Sequence, residues 1–173
     1  MIDEINKAIE AYHNKWHKLV AARADHAFFE SLKPTAIGWK VAGRTEYDKV
    51  FAELHDMCDQ IVDVTLNDRW IAKMHLKDTK LSGGIEIIKL MQHRPASTDA
   101  VGLDHLDFYS PDVTKEKLAA EKDLAWTEEE NGLCRWLSIW FEGTEAKLRP
   151  DTVIDVCIAE LQETNQNIIG KPS

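Results

Sequence analysis

Gly102-Leu103-Asp104-His105-Leu106-Asp107-Phe108, followed by Gly143-Thr144-Glu145-Ala146-Lys147-Leu148, is the stretch on which the fold of this chain turns. Its elements echo an earlier pair, Asp25-His26 and Gly84-Ile85-Glu86. In both halves the Glu runs on into a Lys-Leu pair, Lys89-Leu90 and Lys147-Leu148. Two His and two Glu in matched places of an internal repeat point to one pocket shared by two halves. Imidazole nitrogens and carboxylate oxygens are ligands for a divalent metal.

Working outward, residues 102–109 read as a strand. Leu106 and Phe108 alternate with His105, Asp107 and Tyr109, the period of a half-buried strand. Ser110-Pro111-Asp112 opens a short helix to about residue 122. Strands are expected at 124–128, 133–141 and 144–149, with Asn131-Gly132 as a hairpin turn. The first half reads in the same order. A strand is expected at 25–32, with a further short one at 37–41. A helix starts at Thr45, and strands follow at 60–66, 69–76 and 84–91. Each half is therefore a βαβββ unit. The expected architecture is α+β: tandem modules over 25–91 and 102–150, forming a curved mixed sheet around a cavity. A helix over 3–24 precedes them, with Ile5, Ala8, Ile9, Tyr12, Trp16, Leu19 and Val20 on one stripe. A second helix over 151–165 follows, and the whole is read as a single domain, 1–173.

Composition narrows the function classes. A chain of 173 residues can bury a core without staples. Its net charge of −9 disfavours nucleic acid, whose phosphates attract clustered Lys and Arg. No run of about 18 apolar residues exists, so no membrane span is expected. The acidic start Met1-Ile2-Asp3-Glu4 is unlike a signal peptide. The cysteines Cys58, Cys134 and Cys157 are widely spaced and form no zinc signature, which suits buried thiols in the cytoplasm.

On these motifs the chain resembles the vicinal oxygen chelate superfamily, which includes glyoxalase I, extradiol dioxygenases and bleomycin-resistance proteins. In that superfamily the first and fourth strands of each module supply metal ligands. The resemblance implies His26, Glu86, His105 and Glu145 as the ligand set here, with nickel, zinc, manganese or iron as the metal. It implies a glyoxalase-like isomerase or lyase acting on a small substrate with vicinal oxygens. Glu145 or Glu86 would be the catalytic base. The superfamily often pairs modules between chains, so a homodimer is compatible with the reading.

The residues also support a different assignment. A small shift in alignment puts Lys89 and Lys147 at the ligand places, and a lysine ammonium offers a metal no lone pair. The chain is then a metal-free protein that binds a small ligand on the same scaffold. In either case Lys73, His75, Tyr109, Trp136, Trp140 and Lys147 are the candidate pocket residues. Trp136 and Trp140 share a strand face with Ser138; Lys73 and His75 share one with Arg69. A third reading makes the first helix a docking surface. His13 and His17, at i and i+4 on it, have a metal-compatible spacing but lie off its apolar stripe and read as a solvated face.

Overall fold

The computed structural model describes residues 1–66, 69–93, 100–131 and 134–151. Helix α1 (Ile2–Ala21) buries Ile5, Ile9, Tyr12, Trp16 and Val20, the stripe expected from the sequence. A short helix α2 (His26–Ser31) leads to β1 (Lys33–Val41), α3 (Arg44–His55), β2 (Cys58–Leu66), β3 (Arg69–Leu76) and β4 (Ile87–Gln92). The second half repeats the order as β5 (Gly102–Tyr109), α4 (Lys115–Ala119), β6 (Trp126–Asn131), β7 (Cys134–Phe141) and β8 (Thr144–Arg149). All strands join one mixed sheet in the order β2-β3-β4-β1-β5-β8-β7-β6. The α+β, paired βαβββ architecture is thus as expected. Among the described residues no helix is long and apolar enough to cross a membrane.

The first half begins differently from its sequence reading. Residues 26–31 are helical rather than extended, because the Asp25 carboxylate accepts from the Phe28 backbone N–H at 3.1 Å and caps the helix. The first strand is β1, longer than the short 37–41 segment expected. Pro34 is tolerated at its entry, beside a bulge. The fourth strand starts at Ile87 rather than residue 84, since Ser82–Gly84 forms a single 3-10 turn with Gly83 at φ 75°. Strand β6 lies at 126–131 instead of 124–128. The expected helix over 151–165 falls outside the described residues.

The two modules meet where β1 pairs antiparallel with β5. Two bulges interrupt this ladder. β1 carries an extra residue at Thr35, between the Pro34–Phe108 and Ala36–Asp107 pairs. β5 carries one at Asp104, between the Gly38–His105 and Trp39–Leu103 pairs. The bulges are symmetric about the Ile37–Leu106 pair, so they define a pseudo-twofold relation in which Ala36 matches His105 and Gly38 matches Asp107. The parallel registers carry the match outward. Ala36 pairs Ile87 as His105 pairs Glu145, and Gly38 pairs Lys89 as Asp107 pairs Lys147.

One face of the sheet packs on α1. Trp16 stacks on Phe108 with centroids 4.4 Å apart, and Tyr12 meets the edge of Phe141 at 5.5 Å. The Tyr12 hydroxyl also donates to the Glu145 carbonyl at 2.8 Å, tying the helix to β8. Replacing Trp16 by Ala should cost about 3–5 kcal/mol, as for other large aromatic truncations in a core. Urea titration should show this loss, with Lys18→Ala on the exposed face of α1 changing stability by less than about 0.5 kcal/mol.

Candidate functional site on the polar face of the sheet

Strand alternation sends Leu106, Phe108, Ala146, Leu148 and Ile139 toward the helix side. Their neighbours point to the other face, which is charged yet largely buried. Asp107 has no exposed surface there, and His105 is 2% exposed. Asp107 binds Lys89 Nζ at 2.6 Å, accepts from Arg149 Nε, and stands 3.4 Å from His105 Nε2. Buried charge is stable only when it is partnered in this way. Burial alone would raise the Asp107 pKa, but Lys89, Arg149 and His105 together hold it well below the usual carboxylate range. Burial pushes Lys89 down to about 7, against the pull of Asp107 and helped by Arg149 and Lys147. Asp107 has several positive or polar partners while Lys89 shares its one anion with an arginine. The carboxylate is therefore the member that keeps its charge through neutral pH.

His105 is held from both sides. Its Nδ1 lies 2.8 Å from Asp104 Oδ2, and Asp104 Oδ1 pairs with Lys40 Nζ at 2.6 Å. Against the opposing effect of burial, His105 and Lys40 keep the Asp104 carboxyl well below its ordinary pKa. His105 Nε2 is buried without a well-aligned hydrogen bond, 3.4 Å from Asp107 Oδ2. The ring lies over Gly38: a Cβ at 38 would come within 2.5 Å of Cε1. Only glycine opposite His105 leaves the imidazole its place.

Glu145, paired to His105 in the parallel register, is equally fixed. Ser138 Oγ donates to Glu145 Oε1 at 2.6 Å, and Trp136 Nε1 donates to Ser138 Oγ at 3.1 Å. Lys147 Nζ lies 3.8 Å from Oε2. The Trp136 ring has Lys147 at 5.1 Å and Arg149 at 4.8 Å from its centroid. Of the residues expected here, His105, Glu145, Trp136, Lys147, Lys73 and Tyr109 lie on this face. Trp140 does too, but is 52% exposed.

The other two expected ligands are elsewhere. His26 sits on α2, exposed, because the Asp25-His26 pair starts a helix and not a strand. Glu86 precedes β4 and forms an ion pair with Lys80, whose hydrogen bond holds its carboxyl below the ordinary pKa. His75, 2.6 Å from Asp59 and 3.9 Å from Glu86, belongs to this rim. The module relation explains the asymmetry: the places of His105 and Glu145 are taken in the first half by Ala36 and Ile87. One ligand atom each of Asp104, His105 and Glu145 lies within 4.8 Å of the others, a grouping met nowhere else among the described residues. Asp104, Asp107, Ser138, Lys40 and Arg149 were not singled out from sequence. The alternation of β5 and β8 already placed Asp107 beside His105 and Arg149 beside Glu145.

Asp107→Asn should lower stability at pH 7 by about 3–5 kcal/mol, because it leaves Lys89 and Arg149 buried without their counter-charge. The wild type should also lose stability as pH falls below about 4. Groups with a depressed folded pKa contribute above their unfolded value, near 3.9 for Asp, and that contribution is lost as they protonate. Denaturant titrations from pH 7 to pH 2 should show this acid limb, flattened in Asp107→Asn.

No family model matches the chain, and no curated protein matches it. Among solved structures, a structural-genomics protein described as EC4020 is similar with TM-score 0.64 and 14% identity, covering 92% of this chain and 94% of that one. Looser likenesses include a Streptomyces coelicolor methylmalonyl-CoA epimerase variant in complex with 2-nitronate-propionyl-CoA, with TM-score 0.45, 16% identity, and 68% and 94% of the two chains covered. A putative dioxygenase from Bacillus subtilis matches with TM-score 0.43 and 11% identity over 70% of this chain and 41% of its own. These identities speak for the fold alone, two βαβββ modules sharing one sheet.

Proposed function

We propose that this protein is a small-molecule isomerase or lyase of the vicinal oxygen chelate type, working from the polar face of its second module with a divalent metal. The observation that supports this reading is the buried grouping of His105 with the Asp104 and Glu145 carboxylates, one ligand atom of each within 4.8 Å of the others. One imidazole with two carboxylates is a donor set suited to nickel, zinc, manganese or ferrous iron. His105, Glu145 and Asp104 would hold the ion, and His26 and Glu86 take no part. A bound ion supplies Lewis acidity toward a substrate with adjacent oxygens.

The chain's own residues supply the rest. Lys40 holds Asp104 Oδ1 and so aims the carboxylate at His105. Glu145 is the proton carrier, with Ser138 fixing its rotamer from Oε1. Lys147 and Arg149, over the Trp136 ring, meet negative charge on the substrate. A second reading is favoured by the same cations. With Ala36 and Ile87 in place of a second donor pair, the face would bind a small anionic ligand without metal.

Metal analysis of protein purified without a histidine tag separates the two. About one divalent ion per chain is expected, lost in folded His105→Ala and Glu145→Gln and kept in Glu86→Gln. A wild type that is metal-free and takes up none of the four ions would overturn the metal-dependent reading and leave the ligand-binding one.

A further inference from the structure

Strand β7 sends Trp136 and Ser138, two residues apart, to the polar face that carries Glu145. Ser138 stands opposite Lys147 in the antiparallel register, so Glu145 is its diagonal neighbour on β8. Ser138 has no exposed surface. The three polar groups form a chain with one direction. An indole N–H donates and never accepts, so Trp136 Nε1 gives its proton to Ser138 Oγ at 3.1 Å. The hydroxyl proton of Ser138 then goes to Glu145 Oε1 at 2.6 Å. A hydroxyl turned away from Oε1 would bury its O–H without this acceptor, a costly loss for an enclosed group.

The far end of this chain is tied to two cations. Lys147 Nζ lies over the Trp136 ring at 5.1 Å from its centroid, and Arg149 Cζ at 4.8 Å, both within reach of cation–π attraction. Lys147 Nζ is also 3.8 Å from Glu145 Oε2, beyond hydrogen-bond length. The two oxygens of Glu145 therefore differ. Oε1 is committed to Ser138, while Oε2 meets a cation loosely and is left to serve a metal or a substrate.

We propose that Trp136 is a positioning residue for Glu145, acting through Ser138, and that it fixes Oε1 so that Oε2 is the oxygen presented to the metal. The metal in this statement rests on the proposed ion at His105, Glu145 and Asp104; the chain of hydrogen bonds does not. Rotation of the carboxylate about its last bond would exchange the two oxygens, and the ordered Ser138 hydroxyl opposes that rotation. Groups that hold a ligating carboxylate in place commonly set roughly tenfold or more of the metal affinity. Trp136 touches neither the ion nor the reacting atoms. The cations hold its ring, and its N–H orders the hydroxyl. If packing were its whole role, any aromatic ring at 136 would serve; the direction of the chain makes the nitrogen matter.

Trp136→Phe separates the two, because it keeps a ring for Lys147 and Arg149 and removes only the N–H donor. Zinc titration against a chromophoric chelator should show binding about tenfold weaker in Ser138→Ala and about three- to tenfold weaker in Trp136→Phe, the loss of one neutral hydrogen bond. Trp126→Phe, which removes an indole packed on the core on the helix side of the sheet, should bind zinc as the wild type does. A second readout needs no metal. In NMR spectra of the metal-free protein the Glu145 side-chain carboxyl carbon should shift in Ser138→Ala and in Trp136→Phe and stay in place in Trp126→Phe. Wild-type zinc affinity in Trp136→Phe would overturn the proposal, as would a Glu145 carboxyl signal that Trp136→Phe leaves unmoved. A wild type that takes up none of nickel, zinc, manganese or ferrous iron would refute the metal-dependent reading instead, and the carboxyl signal would then decide by itself whether Trp136 positions Glu145.

Discussion

Asp107 is the constraint on which the rest of the site depends. It is a carboxylate with no exposed surface, between Lys89 from the first module and Arg149 from the second. Three strands, β4, β5 and β8, therefore present side chains to one ion. Removing a charge from water is costly, and the cost is offset only while all partners hold their geometry. The ion cluster thus favours one relative placement of the two modules. His105 and Glu145, on the same strands, inherit that placement, and His105 adds its own contact to the first module at Gly38.

α1 acts on this arrangement from beneath. Its Trp16 and Tyr12 pack on Phe108 and Phe141, and the Tyr12 hydroxyl reaches the Glu145 backbone. Burial, with help from Glu145 and Asp107, raises the Tyr12 pKa, so this hydroxyl keeps its proton and its hydrogen bond at neutral pH. A helix that precedes both modules in sequence thereby steadies the strand carrying the candidate base. Such support under a reactive side chain is what holds it to a narrow geometry.

Much of this was legible in the sequence, and the failures share one cause. The stripe of α1, the strand–helix–three-strand order and the alternation of β5, β7 and β8 all follow from residue periodicity. The pairing of His105 with Glu145 is where the second-half motif put it. The first half misled because Asp25-His26 imitates Asp104-His105 in letters only. Asp25 is a helix cap, and the true counterpart strand is disguised by Pro34 and Gly38, residues that seldom read as strand interior. Moving the first strand to 33–41 replaces the expected His and Glu by Ala36 and Ile87. A bulge adds one residue to each central strand, and no single-sequence pattern reveals a bulge that shifts register.

Gly38 carries a consequence for folding. The imidazole of His105 occupies the volume that a side chain at 38 would fill, so the two strands fit like a key and its slot. A slip by one residue would set Ile37 or Trp39 against that ring and turn core side chains outward. Antiparallel ladders tolerate such slips wherever side chains are interchangeable. Here the absence of one makes the misaligned pairings sterically poor, and the glycine acts as a proofreading element for the seam between the modules.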